Sequence, residues 1–140
     1  MFVSRLIISV GTPALLAAGM RAQQPAPAAT GRGSVEHGRY LVERVAMCFE
    51  CHSTRDARGN IVPGTRFNGG PMPMRPPWSS DWPQQIPRIA GFAGYTDAEA
   101  TRLLTQGAIK RDGTQLRYPM PRFRMTPQDA ADVIAYLRTQ

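Results

Sequence analysis

Residues 48–52 constrain this chain more than any other stretch, because they read Cys-Phe-Glu-Cys-His. Two thiols at this spacing can add to the two vinyl groups on one edge of a porphyrin, and the next residue then places an imidazole under the iron. Cys48 and Cys51 would supply the covalent bonds, and His52 would supply an axial ligand. The motif therefore predicts one covalently attached haem c.

Other uses of two neighbouring cysteines fit the rest of the chain less well. A thioredoxin-like pair needs a βαβ context, and no strand-rich pattern precedes Cys48. A structural zinc site needs four ligands, and His37 is the only other histidine beside this motif. A lone disulfide in an exported binding module is a further alternative. It predicts a colourless protein and leaves His52 without a role.

The first 22 residues have the form of a secretory signal peptide. Arg5 supplies a minimal positive charge, and residues 6–16 form an apolar run that Gly11 and Pro13 interrupt. This run is shorter than the ~20 residues that a membrane span requires. We therefore expect a cleaved leader and export to a bacterial periplasm.

A short linker and one small domain follow the leader. Residues 23–33 are rich in Ala, Pro and Gln and have little to bury, which predicts a flexible linker. Residues 34–140 are predicted to form the folded domain, and a chain of this size buries a limited share of its surface. The haem would be the largest apolar group in that core, so we expect the protein without haem to be poorly folded.

The chain is basic, with a formal net charge of +7. Cleavage after Arg21 would leave about +5. A solvated basic surface is sufficient to explain this charge. The functional alternative is docking to an acidic redox partner or to an anionic membrane face. We expect no nucleic-acid partner for an exported protein, and we expect a monomer or a subunit of a larger complex.

Three helices are predicted, and the first of them leads into the cysteine motif. Ser34 is suited to cap its amino end. Leu41, Val45 and Cys48 recur at helical spacing and predict one buried stripe. Gly38 lies inside this helix, where it costs about 1 kcal/mol relative to alanine, and this indicates either a close backbone crossing or simple tolerance.

The other two helices lie in the second half of the domain. Residues 96–99 read Thr-Asp-Ala-Glu, a capping box for a helix that ends at Gly107. Thr126 and Pro127 begin the last helix as N-cap and first helical residue. Its apolar face is predicted to consist of Ala130, Val133, Ile134 and Leu137.

The segment between the first two helices is predicted to be a long loop that wraps around the haem. Residues 54–70 carry several turn signals. Six prolines in residues 71–87 exclude a helix or a central strand there. This loop also contains Trp78 and Trp82.

Met120 is the predicted second axial ligand. It lies between Pro119 and Pro121, which would fix the backbone that presents its sulfur. A thioether opposite histidine favours Fe(II) and completes the ligation of an electron carrier. Many methionines only fill gaps in a core, and the rivals for this role are Met47, Met72, Met74 and Met125.

These features resemble those of the class I c-type cytochromes with one haem. The resemblance is carried by four stretches, which are residues 38–41 (Gly-Arg-Tyr-Leu), 48–52, 118–121 (Tyr-Pro-Met-Pro) and 134–138 (Ile-Ala-Tyr-Leu-Arg). It implies an all-α cytochrome c fold of three or more short helices and long loops around one haem. It also implies that the first and last helices cross, with Gly38 or its neighbours near Tyr136.

The resemblance also implies a hydrogen bond that orients the haem histidine. A proline carbonyl about eleven residues after the haem histidine accepts the Nδ1 proton of the imidazole, which points to Pro63; the alternative is an ordinary turn proline. Haem propionates need donors or cations where they are partly buried. Trp78, Trp82 and Arg88 are the candidates for that contact, although each could serve only in packing or at the surface.

The predicted function is that of a periplasmic one-electron carrier without catalytic activity. The chain is similar to the cytochrome modules of bacterial periplasmic dehydrogenases, which implies a dehydrogenase as donor and a membrane or oxidase acceptor. The alternative is a haem enzyme or gas sensor whose sixth coordination position is open. Against that alternative, no distal histidine is evident beyond His37.

Overall fold

The computed structural model describes residues 33–79 and 81–140, so the predicted leader and nearly all of the predicted linker lie outside them. The helices are α1 (Val35–Tyr40), which continues as a π-helical turn (Leu41–Val45), α2 (Cys48–Cys51), α3 (Asp97–Thr105) and α4 (Pro127–Leu137). Between α2 and α3 lie two short strands, β1 (Gly70–Pro71) and β2 (Gln85–Ile86), and a 3-10 turn (Ala90–Phe92). The prediction of an all-α fold with long loops is confirmed.

The first predicted helix is broken before the cysteine motif. Its last turn is π-helical, with the amide of Ala46 bonded to the carbonyl of Leu41 at 2.8 Å. Met47 then adopts a left-handed conformation (φ 47, ψ 45), and α2 starts at the next residue. The predicted buried stripe is therefore wrong at Val45, which is 56% exposed, whereas Val42 is fully buried. The wider π turn changes which residues face the core.

The first and last helices cross at Gly38, as predicted. A Cβ atom at Gly38 would lie 1.9 Å from the carbonyl oxygen of Asp132 and 2.9 Å from Cβ of Tyr136. No side chain fits at that separation, so glycine is needed for the close approach of α1 to α4. The same contact explains why this helix contains a residue of low helix propensity.

Local capping signals position α3 and α4. The Thr96 hydroxyl accepts from the amide of Glu99 at 3.3 Å, and the Glu99 carboxylate accepts from the amide of Thr96 at 2.9 Å. Thr126 caps α4, with Pro127 at its start. The predicted apolar face of α4 is buried against α1 and α3. None of the described helices is long and apolar enough to cross a membrane.

Candidate functional site

A cavity of about 510 Å³ lies between α2, the chain that follows β2, and the segment before α4. Its size falls within the range of about 300–1,000 Å³ that is usual for cofactor sites. Its wall is mainly apolar and includes Ile86, Phe92, Leu103, Leu104, Leu116 and Phe123. Such a wall can enclose a large planar apolar group and exclude water from it.

His52 lies in the wall of this cavity and is 6% exposed. Its Nδ1 atom lies 2.8 Å from the carbonyl oxygen of Pro87. Because a carbonyl can only accept, the proton is on Nδ1 and the lone pair of Nε2 is left for a metal. Burial lowers the pKa of His52, against the opposing effect of the Pro87 carbonyl. The site therefore favours a neutral His52 imidazole and fixes its tautomer, and both properties suit an axial ligand.

The prediction that Pro63 accepts this proton is wrong. Pro63 is exposed in a turn, and the acceptor is Pro87, 35 residues after His52. The prediction relied on the spacing after the histidine that the family resemblance implies, whereas in this chain the pairing of β1 with β2 brings a later part of the chain close to His52. Two strands of two residues each leave no periodic signal, so the sequence did not reveal this return.

The two thiols lie beside His52 at the same cavity. Cys48 is half-buried and Cys51 is exposed, and neither forms a disulfide. Burial raises the pKa of Cys48 to about 11, and the neighbouring Cys51 adds to that effect. Cys51 is both exposed and part of the cavity wall. The structure thus brings both predicted attachment residues and the predicted ligand to one edge of the site.

Four of the five candidate methionines line the cavity, and these are Met47, Met72, Met120 and Met125. Met74 is not part of the wall and is 71% exposed. Met120 is partly buried and packs against the core, with Pro119 and Pro121 beside it in the wall. The structure therefore places Met120 at the same cavity as His52.

The three candidates for propionate binding lie in different surroundings. Trp78 is 85% exposed and is not part of the cavity wall. The Nε1 atom of Trp82 is buried and has no hydrogen-bond partner within the described residues. Arg88 lines the cavity, and its Nε donates to the carbonyl of Ala90 at 3.2 Å. An unpartnered buried N–H is costly, but Trp82 is not part of the cavity wall; the next residue, Pro83, lines it.

The sequence did not single out two further cations in the cavity wall, Lys110 and Arg117. Lys110 pairs with Asp112 at 3.3 Å. Arg117 immediately precedes the Tyr-Pro-Met-Pro stretch, so its closeness to the predicted ligand Met120 was available as a signal. Together with Arg88 they make part of the cavity edge basic.

The residues present fit a haem, since two thiols, a neutral imidazole with a free Nε2 and an apolar wall meet at one cavity. The family model of cytochrome c matches residues 35–140. The chain belongs to the cytochrome c family. Within it, the chain is a class I c-type cytochrome, so the predicted fold is confirmed and covalent haem c is implied. No curated protein sequence matches the chain significantly.

Membership in the cytochrome c family supports a role in electron transfer, which is typically not enzymatic. Domains of this family are typically exported or extracellular. The Cys48, Cys51 and His52 spacing is the one that covalent haem attachment requires.

Proposed function

We propose that this cytochrome is a periplasmic one-electron carrier in which His52 and Met120 are the axial ligands of the haem iron. One observation supports the proposal. The buried imidazole of His52, which is held by a hydrogen bond through Nδ1, and the thioether of Met120 line the same apolar cavity. A bound haem supplies a one-electron iron couple. The protein holds both ligands in place and excludes water, and no substrate bond is made or broken.

Met120 is favoured over the other three thioethers by its backbone. Met47 directly precedes Cys48 on the attachment side and is 51% exposed. The amide of Met125 is bonded to the carbonyl of Leu104 at 3.1 Å, which ties it to the end of α3. Met120 lies between two prolines, whose fixed φ angles restrict the position of its sulfur.

Met72 is the strongest rival to Met120, because it lines the cavity and its amide is bonded to the carbonyl of Gln84 at 2.9 Å. It lies beside β1, in the same hairpin whose far strand leads to Pro87. Since Pro87 orients His52, that hairpin belongs to the histidine side of the site. A ligand from the separate segment before α4 suits the other axial position better.

Arg88 and Trp82 are proposed to bind the propionates. Arg88 lines the cavity and can supply a positive charge. Trp82 lies outside the cavity wall, directly before the lining residue Pro83, and can donate its unpartnered Nε1–H. Both fit the rule that a partly buried carboxylate needs a donor or a cation. Trp78 is left out of this proposal because it is 85% exposed.

The basic edge of the cavity is proposed to dock an acidic redox partner. Residues 117–124 read Arg-Tyr-Pro-Met-Pro-Arg-Phe-Arg and contain three arginines and no acid. Arg117 and Arg88 both line the cavity, so the charge lies where electrons would enter or leave. We propose a periplasmic dehydrogenase as donor and a membrane or oxidase acceptor. Association should then slow as salt is added, because screening weakens electrostatic steering.

The ligation is tested by optical spectra and reduction potentials of the haem-loaded protein. Met120→Ala should remove the methionine-to-iron absorption band and lower the potential, because the soft ligand that favours Fe(II) is lost. Met72→Ala and Met125→Ala are matched controls at the same cavity and should keep both properties. Loss of the band in Met72→Ala instead would reassign the ligand.

The open-iron alternative is tested by carbon monoxide. The native ferrous protein should bind it slowly, because both axial positions are filled, whereas ferrous Met120→Ala should bind it readily. Rapid binding by the native protein would contradict the carrier proposal and favour an enzyme or a gas sensor. A colourless product from cells that carry haem maturation machinery would contradict haem attachment itself.

A further inference from the structure

We propose that Gly69 is a positioning residue that holds the Pro87 carbonyl on Nδ1 of His52. The inference rests on the proposed ligation of the haem iron by His52. It concerns residues 67–70. In the sequence these residues lie between His52 and Pro87, which form the 2.8 Å hydrogen bond. Neither His52 nor Pro87 can shift relative to the other without disturbing contacts of this 67–70 segment.

The 67–70 segment is bonded to the histidine side of the site. The amide of Gly69 donates to the carbonyl of His52 at 3.0 Å. The carbonyl of Gly69 accepts from the Thr54 hydroxyl at 3.0 Å. Gly69 is therefore bonded to the backbone of His52 and to the side chain of Thr54, the residues on either side of Ser53.

The same segment is bonded to the chain on both sides of Pro87. Before Pro87, Gly70 pairs with Ile86 in the short β1–β2 ladder. After it, the carbonyl of Phe67 accepts from the amides of Ile89 and Ala90 at 2.8 and 3.0 Å. These bonds leave the Pro87 peptide little freedom to move away from the imidazole.

Gly69 allows this approach because it has no side chain. Its φ of +75 is one that other residues rarely adopt. A Cβ atom at Gly69 would lie 2.3 Å from the carbonyl oxygen of Ile86 and 2.7 Å from the carbonyl carbon of Pro87. Both atoms belong to the backbone, so the peptides themselves would have to move. The second atom carries the oxygen that accepts the His52 proton.

The position of that oxygen affects the electronic character of the ligand. A hydrogen bond from Nδ1–H makes the imidazole more basic. A more basic ligand favours Fe(III) and lowers the reduction potential, so a longer or bent bond raises it. Gly69 therefore contributes to the redox tuning of the site although it does not contact the iron.

Gly69→Ala is the test, and Gly64→Ala is its matched control. Gly64 has a φ of +77 and open space where its Cβ would stand, so alanine there brings the same backbone strain without the collision. We expect Gly69→Ala to raise the reduction potential and to shift the NMR resonance of the His52 ring N–H. Exchange of that proton with solvent should become about tenfold faster. Gly64→Ala should leave all three at the native values.

Thr54→Val provides a second variant in case Gly69→Ala does not fold. It removes the bond from Thr54 to the Gly69 carbonyl without adding volume, and should change the potential and the ring proton in the same direction by a smaller amount. If loaded variants lose thermal stability but keep the native potential and ring resonance, Gly69 is merely structural and the inference is wrong. Absence of haem from the native protein, or native spectra after loss of Met120, would instead contradict the proposed function.

Discussion

The crossing of α1 with α4 and the loop of residues 53–95 are held together by different means. At the crossing, two capped helices meet through Gly38, and α4 buries an apolar face that recurs with helical spacing. In the loop, single hydrogen bonds between distant residues hold the chain, and the bond from the His52 side chain to the Pro87 carbonyl is one of them. Local sequence therefore specifies the helices, whereas the loop depends on contacts that only the assembled site supplies.

The largest expected effect comes from removing the covalent attachment with the double variant Cys48→Ala, Cys51→Ala. Without an attached haem the loop loses the surface on which it packs, whereas the crossing keeps its own apolar contacts. We expect loss of the haem spectrum and fast amide exchange throughout the loop, with residual helical circular dichroism. Retention of loop protection equal to that of the helices would contradict the distinction between the two regions.

Gly38→Ala tests the close contact between α1 and α4. The added methyl group would collide with the Asp132 carbonyl, and the separation of the helices should cost about 3 kcal/mol or more. This exceeds the gain of about 1 kcal/mol that alanine brings in an unhindered helix. Denaturant unfolding of the loaded protein measures the difference. Val35→Ala, in the same helix but 46% exposed, should change the free energy of unfolding by less than about 0.5 kcal/mol.

These two regions also differ in how well the sequence predicted them. The caps at Thr96 and Thr126 and the apolar face of α4 follow local rules, and all are found. The break at Met47 was missed because a π turn and a left-handed residue leave no periodic mark. The choice of Pro63 over Pro87 failed for a related reason, since the acceptor is set by a distant hairpin.

The functional site was predictable to the extent that its chemistry is local. Cys48, Cys51 and His52 form a contiguous motif, and the structure places them at one cavity edge. The prolines beside Met120 were also visible in the sequence, and that residue lines the same cavity. The burial of a loop side chain depends on the path of the loop, so the sequence could not separate the exposed Trp78 from Trp82, whose Nε1 atom is buried.

Asp132→Asn tests the polar contacts at the helix crossing. Asp132 is 3% exposed and accepts from the amide of Ser34 at 2.7 Å and from Gln128 at 2.8 Å, and Nδ1 of His37 lies 2.7 Å away. Burial opposes ionisation, yet these donors hold the pKa below its usual value of 3.8. The carboxylate therefore stabilises the fold above pH 3.8, and that contribution is lost as pH falls through the lower pKa of the folded state.

We expect Asp132→Asn to lower the free energy of unfolding by about 1–3 kcal/mol at neutral pH. The difference from the native protein should shrink as pH falls below about 4, since the native carboxylate is then lost as well. Unfolding curves across the acid range measure both effects. Asp81→Asn, an exposed loop residue, is the control. A constant difference at all pH values would show that packing, and not charge, causes the loss.

The smallest expected effect is that of Trp78→Ala. This variant tests whether the exposed part of the loop contributes to the haem site. Trp78 is 85% exposed, so its removal should change the free energy of unfolding by less than about 0.5 kcal/mol and leave the reduction potential unchanged.

Trp82→Phe keeps most of the ring and removes the buried Nε1–H. If Trp82 donates to a propionate, as proposed, loss of that donor leaves more negative charge near the iron, which favours Fe(III) and lowers the potential. If Trp78→Ala shifts the potential and Trp82→Phe does not, the exposed part of the loop closes over the haem edge in the loaded protein, and the donors have to be reassigned.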